Sequence, residues 1–194
     1  MDKYDIWNKA LALLPHDRRV TAEDTATAEY RRCDDNWDAA RMRVLTAHEW
    51  GWATVQSEVC GGCRVEGGMF GYPRPDGVVR IIGLFDPRGR RVKTQAFNNQ
   101  LLSDCPHCFV RYIPDMDDPD YWPSWFTDAV AAELASRIST LITANAATER
   151  RLLTLAADRL ALAVKTDSDE CKWGGTDGRT FVNARQRGAR WRRD

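Results

Sequence analysis

The sequence contains no long apolar run. Arg, Glu or Asp interrupts every apolar stretch well before the roughly 18 residues that a membrane-spanning helix requires. The N-terminus has an acidic residue at position 2 and no small-residue cleavage site, so it is a poor candidate for a signal peptide. We therefore expect a chain without a membrane span that is made in the cytoplasm.

The sequence also lacks the motifs of common catalytic sites. It has no phosphate-binding glycine loop, no nucleophile elbow and no HExxH zinc motif. His16 and His48 have no Cys or Ser partner at a suggestive spacing. We interpret His48 as a helix-end residue that interacts favourably with the helix dipole. We expect no enzymatic activity.

An excess of charge of one sign is absent overall, since 28 basic residues balance 28 acidic ones. The distribution is nevertheless uneven. Residues 172–194 contain seven basic and two acidic residues, a net charge of +5, so residues 1–171 carry −5. An acidic body with a basic end predicts that the end docks onto something acidic.

The same segment, 172–194, is rich in glycine and has no apolar periodicity. Such a segment cannot bury enough apolar surface by itself, so we expect an extended tail that orders against a partner. Aromatic side chains flanked by Arg are typical of interface hot spots; the alternative is a disordered end with exposed Trp. The predicted docking residues are Trp173, Arg179, Phe181, Arg185, Arg187, Arg190 and Trp191.

Apolar residues recur at helical spacing over four segments. Residues 3–14 predict a short helix that ends at Pro15. "TAED" at 21–24 is a variant of the capping box, which predicts that a long helix begins there. Two further helices are predicted over 122–142 and 152–164. Because each has one apolar side and one polar side, we expect them to pack as an antiparallel bundle.

A region of different character, residues 50–114, separates these helices. Segments 78–85, 91–97 and 109–113 are rich in aromatic and β-branched residues and predict strands. "DPRGR" lies between the first two and fits a hairpin turn. The region is therefore predicted to be a small antiparallel sheet inserted between helices.

Together these patterns predict an α+β fold that is mainly α. It consists of an antiparallel helix bundle, a small inserted antiparallel β-subdomain and an extended C-terminal tail. The predicted boundaries are a single domain over 1–171, with the bundle at 1–49 and 115–167 and the β-insert at 50–114, followed by the tail at 172–194.

The six cysteines are not expected to form disulfides in a reducing compartment. Cys33 falls on the apolar stripe of the long helix and is predicted to be a small buried hydrophobe. The other notable cysteines form two CxxC pairs, Cys60 with Cys63 and Cys105 with Cys108. Two such pairs supply the four soft ligands that tetrahedral Zn²⁺ prefers, so we predict a structural zinc site whose four positions are filled by protein.

Two alternatives to zinc remain open at the sequence level. A redox CxxC needs its first Cys at a helix N-terminus, but Cys108 is followed by "FVRYIP", which alternates like a strand. This pattern disfavours a redox role. The pairs can also be two unrelated, reduced and idle thiol pairs. His107 is predicted to face solvent or to lie behind the ligands.

Two segments, 6–54 and 109–139, resemble the head-to-tail adaptor proteins of phages of the tail tubular protein A type. The first has a short helix ending in Leu-Leu, a capped helix that carries Cys, and a Trp-Asp-x-Ala-Arg stretch. The second resembles the family's strand followed by its "dp..wp..f" step into a helix. The matching residues of the first segment are Cys33, Trp37, Asp38, Ala40, Arg41, Leu45, His48, Trp50, Trp52 and Ala53.

This resemblance implies a helical bundle with a small β-subdomain, assembled as a twelve-membered ring beneath the portal protein with a DNA channel through its centre. It implies a non-enzymatic virion protein of the neck, assembled in the host cytoplasm. Its partners would be the portal, which the C-terminal tail contacts, and a tail or nozzle protein, while DNA passes without sequence-specific binding. The CxxC pairs are not part of the family pattern. The alternative is a zinc-containing nucleic-acid-binding protein, which the acidic body disfavours.

Overall fold

A computed structural model describes residues 1–15, 19–59, 62–64, 68–143 and 145–188; side chains at 63, 140, 143 and 172–188 are outside the description. The elements, in chain order, are α1 (Lys3–Ala12), α2 (Ala28–Leu45), β1 (Val55–Val59), β2 (Cys63–Arg64), β3 (Phe70–Pro73), β4 (Val78–Phe85), β5 (Gln95–Phe97), β6 (Gln100–Ser103), β7 (Cys108–Pro114), a 3₁₀ turn (Pro119–Tyr121), α3 (Ser124–Thr143) and α4 (Ala146–Gly188). Among the described residues, none of the helices combines the length and the hydrophobicity that a membrane span requires.

The predicted first helix is confirmed as α1, but the predicted start of the second helix is wrong. The backbone N–H and the hydroxyl of Thr21 both donate to Asp24 Oδ2, at 2.7 and 2.8 Å, and close a local turn. Helix α2 begins at Ala28, and Thr27 is its N-cap, accepting from the backbone N–H of Tyr30 at 3.2 Å. A capping-box pair can therefore satisfy itself in a turn without starting a helix.

The strand predictions at 78–85 and 109–113 are confirmed as β4 and β7, and every ladder lies between α2 and α3 as expected. The prediction at 91–97 is too long, since only β5 forms. The strands make two antiparallel sheets rather than one, in the orders β1-β7-β4 and β2-β3-β6-β5. The "DPRGR" turn forms, with the Asp86 N–H donating to the Arg90 carbonyl at 2.9 Å, but β4 takes β7 as its ladder partner instead of β5.

The predicted antiparallel helix bundle is wrong. Helices α1, α2 and α4 each pack against α3, which lies at the centre. The same core also contains Ile82, Phe85 and Ile113 from the sheet β1-β7-β4. The apolar sides of the helices are thus covered partly by strands, and the fold is a mixture of helices and two antiparallel sheets.

The predicted extended tail is also wrong as far as Gly188, because α4 continues as a helix to that residue. Adding residues to an existing helix gives one hydrogen bond for each residue fixed, without a new nucleation cost. Residues 189–194 lie outside the described part of the chain. The proposed division into a domain at 1–171 and a docking tail at 172–194 remains a prediction.

The two segments that carry the family resemblance pack directly on one another. The Trp37 ring of α2 stacks on Trp122, with centroids 5.7 Å apart and an interplanar angle of 16°. Nearby, the Arg41 guanidinium of α2 is 6% exposed and pairs with Asp115, which follows β7, and with Asp38 at 3.2 Å. The two distant stretches of sequence therefore form one structural unit.

Candidate metal centre

The first sheet places the residue before the first CxxC pair beside the second pair. Strand β1 pairs antiparallel with β7, and in this register Val59 lies opposite Cys108. Val59 is the residue immediately before Cys60, and Cys108 is the last cysteine of the second pair. The chain therefore enters the first CxxC beside the second one.

The second sheet links Cys63, the last residue of the first pair, to Cys105 through strand β3. Strand β2 begins at Cys63, whose backbone pairs with Gly71 of β3. The next residue of β3, Tyr72, is 1% exposed. Its hydroxyl donates a 2.5 Å hydrogen bond to the Cys105 carbonyl. Tyr72 thus lies between the β2 edge and the second CxxC.

Gly62, inside the first CxxC, is required by this arrangement. A Cβ atom at this position would lie 2.8 Å from Cε1 of the Tyr72 ring, which is closer than carbon atoms normally approach. The ring cannot easily move because it is buried and its hydroxyl is bound to Cys105. The absence of a side chain at 62 therefore lets the two cysteine segments approach each other.

The second pair is built around the start of β7. The Cys108 side chain is buried, and its Sγ donates to the Cys105 carbonyl at 3.5 Å. The Cys105 Sγ donates to the His107 carbonyl at 3.0 Å, and the Cys105 N–H donates to Ser103 Oγ at 3.3 Å. Both thiols are free of disulfide bonds. The loop is held by hydrogen bonds to its own backbone, and the two thiols also interact with each other.

Burial raises the pKa of the Cys108 thiol to about 11, with a further contribution from the adjacent Cys105 thiol. Burial also raises the pKa of Tyr72, and the nearby Cys108 adds to that shift. Cys108 is consequently a neutral thiol near pH 7 in the absence of metal. A bound zinc ion would favour the thiolate and so displace this proton.

The structure does not describe all four of the predicted zinc ligands. Cys60 lies outside the described residues, and so does the side chain of Cys63. Among the described residues there is no group of three metal-binding side chains. The zinc prediction for these four cysteines therefore stays a prediction. His107 is exposed, as expected of a residue that is not a ligand.

The redox alternative lacks its structural requirement. Strand β7 begins at Cys108, so no helix N-terminus stabilises a thiolate at this pair.

Cys33, predicted to be a buried hydrophobe, is fully buried, and burial raises the pKa of its thiol to about 12. That prediction is confirmed.

The predicted docking residues of the tail cannot be placed as a surface. The backbone from 172 to 188 belongs to α4, but the side chains of Trp173, Arg179, Phe181, Arg185 and Arg187 are outside the described set. Arg190 and Trp191 lie outside the described residues altogether.

One polar cluster was missed by sequence reasoning. His48, interpreted as a helix-end residue, instead lies beyond the end of α2, with its Nε2 3.3 Å from Asp167 Oδ2 of α4. Asp167 is 2% exposed and accepts the Gly51 N–H with both carboxylate oxygens at 3.0 Å. The cluster fixes α4 to the connection before β1. A separation of 119 residues between His48 and Asp167 left no local signal for it.

Comparison with known families adds no assignment, since no family model matches the chain and no curated protein gives a significant match. The resemblance to head-to-tail adaptors therefore rests on the two segments described above.

Proposed function

We propose that this chain is a structural head-to-tail adaptor that forms a ring between portal and tail and continues the DNA channel, without catalysis. One observation carries the proposal. The two segments that resemble the adaptor family meet through the Trp37–Trp122 stack and the Arg41–Asp115 pair. Residues shared with a family pattern for reasons of structure are expected to converge in this way.

Ring assembly requires that two different surfaces of each copy meet around the circle. Ring assembly on the portal is tested by mixing the protein with its portal protein and measuring the mass of the intact complex by native mass spectrometry. The expected product is a complex whose added mass is a whole multiple of 22.1 kDa, with about twelve copies expected from the resemblance. A protein that stays monomeric and does not bind the portal would contradict the proposal.

The docking element in this proposal is residues 172–194. Helix α4 carries this segment beyond Cys171, and its net charge of +5 suits an acidic partner surface. Removing residues 172–194 should abolish co-purification with the portal and leave the far-ultraviolet signal of the remaining helices intact. A matched control is the full chain with Arg150→Glu and Lys165→Glu, two exposed positions of α4 outside the segment. Portal binding by the truncated chain would refute the docking role.

We further propose that Cys60, Cys63, Cys105 and Cys108 hold one structural Zn²⁺. Support comes from the Val59–Cys108 register and from Tyr72, which contacts the Cys105 carbonyl. Metal analysis should find about one zinc per chain in the unmodified protein. The control variant Cys171→Ser should contain the same amount, because Cys171 is an exposed cysteine outside the two CxxC pairs. The double variant Cys105→Ser/Cys108→Ser should contain none. Equal zinc content in all three proteins would contradict the site.

A further inference from the structure

The β-region contains one surface whose charge differs from that of the rest of the body. Residues 55–114 contain eight basic and five acidic residues, a net charge of +3, whereas the remainder of residues 1–171 contains 13 basic and 21 acidic residues, a net charge of −8. Within the β-region, the stretch from 87 to 103 carries four basic residues and no carboxylate. We call residues 87–100 of this stretch the basic arm.

The basic arm projects from the protein. Every residue from Pro87 to Gln100 is exposed except Val92 and Thr94, which are half-buried. The arm includes β5, which lies at the edge of its sheet, and the two-residue turn into β6. Twelve of these 14 residues are exposed, so most side chains of the arm are available to a partner.

The four cationic side chains of the arm differ in whether they have a hydrogen-bond or ion-pair partner. Arg90 pairs with Asp86 at 2.8 Å, and Arg91 donates to the Ile82 carbonyl at 2.5 Å. By contrast, Arg88 and Lys93 make no ion pair or side-chain hydrogen bond within the described part of the chain. Two cations are therefore anchored and shape the arm, while two remain free for a ligand.

The tip of the arm adds other contact groups. Asn98 and Asn99 have φ values of 44° and 59° and form the turn between β5 and β6. The Phe97 side chain beside them is 56% exposed. Arg74, from the end of β3, lines the same surface pocket as Phe97 and both asparagines. Cationic, amide and aromatic side chains thus occur together without a carboxylate of the arm itself.

We propose that the basic arm binds the phosphodiester backbone of nucleic acid without reading its sequence. Arg, Lys and Asn side chains are the groups that contact phosphate and sugar, and an exposed aromatic ring is the group on which an unpaired base stacks. A protein partner is less favoured because the buried core of a protein–protein interface is depleted of charged residues, whereas the arm carries four of them. The acidic helical surface repels a polyanion, so this arm is the place where the described body can accept one.

The test measures binding of the full chain to two labelled probes, a short random-sequence duplex and a single strand of the same length, between about 50 and 200 mM salt. Each phosphate contact contributes about 0.9 to the slope of log affinity against log salt for a duplex and about 0.7 for a single strand. Arg88→Glu/Lys93→Glu should weaken binding at least tenfold at the lowest salt and reduce the slope by about 1.8 for the duplex or about 1.4 for the single strand.

The matched control is Arg150→Glu/Lys165→Glu, which makes the same change in net charge on exposed positions of α4. It should retain binding, because it leaves the arm intact. Both variants should keep the melting temperature of the unmodified protein, since all four positions are exposed. Phe97→Ala distinguishes the two probes: it should weaken single-strand binding if bases stack on this ring and leave duplex binding unchanged.

Three results would overturn the inference. One is no binding of either probe at the lowest salt, and another is equal weakening by the arm and control variants. The third is salt-dependent self-association of the protein that the arm variant abolishes and the control variant does not, without nucleic-acid binding. This result would show that the arm binds the acidic surface of a second copy of the chain. The assay contains no portal, so its outcome is independent of the docking role proposed for residues 172–194.

Discussion

Replacing Asp115 by Asn should destabilise the protein far more than its partly exposed position suggests. The Arg41 guanidinium is 6% exposed, and its charge is balanced by Asp115 and Asp38. Burial would by itself lower the pKa of Arg41, but hydrogen bonds and charge interactions, first with Asp115 and then with Asp38, outweigh it, so that the pKa is raised. Arg41 consequently stays charged and needs an anionic partner.

The expected loss in the free energy of unfolding depends on how much of the Arg41–Asp115 pair is buried. Removing one partner of a fully buried pair costs about 3–5 kcal/mol. Asp115 is 43% exposed and Asp38 remains 3.2 Å from the guanidinium, so solvent and the second carboxylate reduce this figure. We expect Asp115→Asn to lower the free energy of unfolding by about 1–3 kcal/mol. Asp38→Asn is the matched control and should cost no more than about 1 kcal/mol, because Asp38 is 81% exposed.

The assay is urea unfolding of both variants and of Arg41→Met, followed by the double variant Arg41→Met/Asp115→Asn. Arg41→Met removes the buried charge and leaves Asp115 in contact with water, so it should cost less than Asp115→Asn. The double variant should then lose little beyond Arg41→Met. If Asp115→Asn is no more destabilising than Asp38→Asn, the pair does not join the two segments and the main support for the proposed function is weakened.

Three further outcomes are expected. In metal-free, reduced protein, the Cys108 thiol has a higher pKa in the folded state than in the unfolded state, so its protonated form stabilises the fold below about pH 9, and this contribution is lost as the pH rises towards about 11. The free energy of unfolding of Cys108→Ala, measured by urea titration, should therefore fall less steeply over that pH range than that of the unmodified protein. Trp122→Ala should lower the free energy of unfolding by about 3 kcal/mol, while Tyr121→Ala, at a 72% exposed position, should change it by less than about 0.5 kcal/mol. Gly62→Ala should cost about 1–3 kcal/mol by overpacking against Tyr72, and an unchanged melting temperature would show that the ring yields.

Local sequence signals predicted the elements whose cause is local. Helix α1 follows from its apolar spacing, and β4 and β7 follow from runs of β-branched and aromatic residues. The predicted start of α2 was wrong because a capping box and this closed turn share one hydrogen bond, from the Thr21 N–H to the Asp24 carboxylate. In the turn, the Thr21 hydroxyl donates to Asp24 Oδ2 and the Asp24 N–H donates to the Thr21 carbonyl, so the hydroxyl does not cap a helix.

Pairing between distant segments could not be predicted in the same way. The strand β6 is too short to show a clear period in the sequence, and the Asn98–Asn99 turn before it adopts positive φ, which Asn tolerates, without a glycine to signal it. The choice of β7 as the ladder partner of β4 depends on the whole core rather than on either strand. For the candidate metal centre, sequence spacing predicts the four cysteines, but the position of Tyr72 beside Cys105 depends on the register of both sheets and could not be predicted.

The central position of α3 has a consequence for synthesis. Because α1, α2 and α4 all pack on a helix that begins only at Ser124, the first two helices leave the ribosome well before the surface that covers them exists. The parts of their apolar faces that pack on α3 remain uncovered while at least the 78 residues from 46 to 123 are translated, and closure of the core is a late, long-range event. Slow elongation before Ser124 should therefore favour aggregation or chaperone capture of nascent chains, whereas a pause after Thr143 should not.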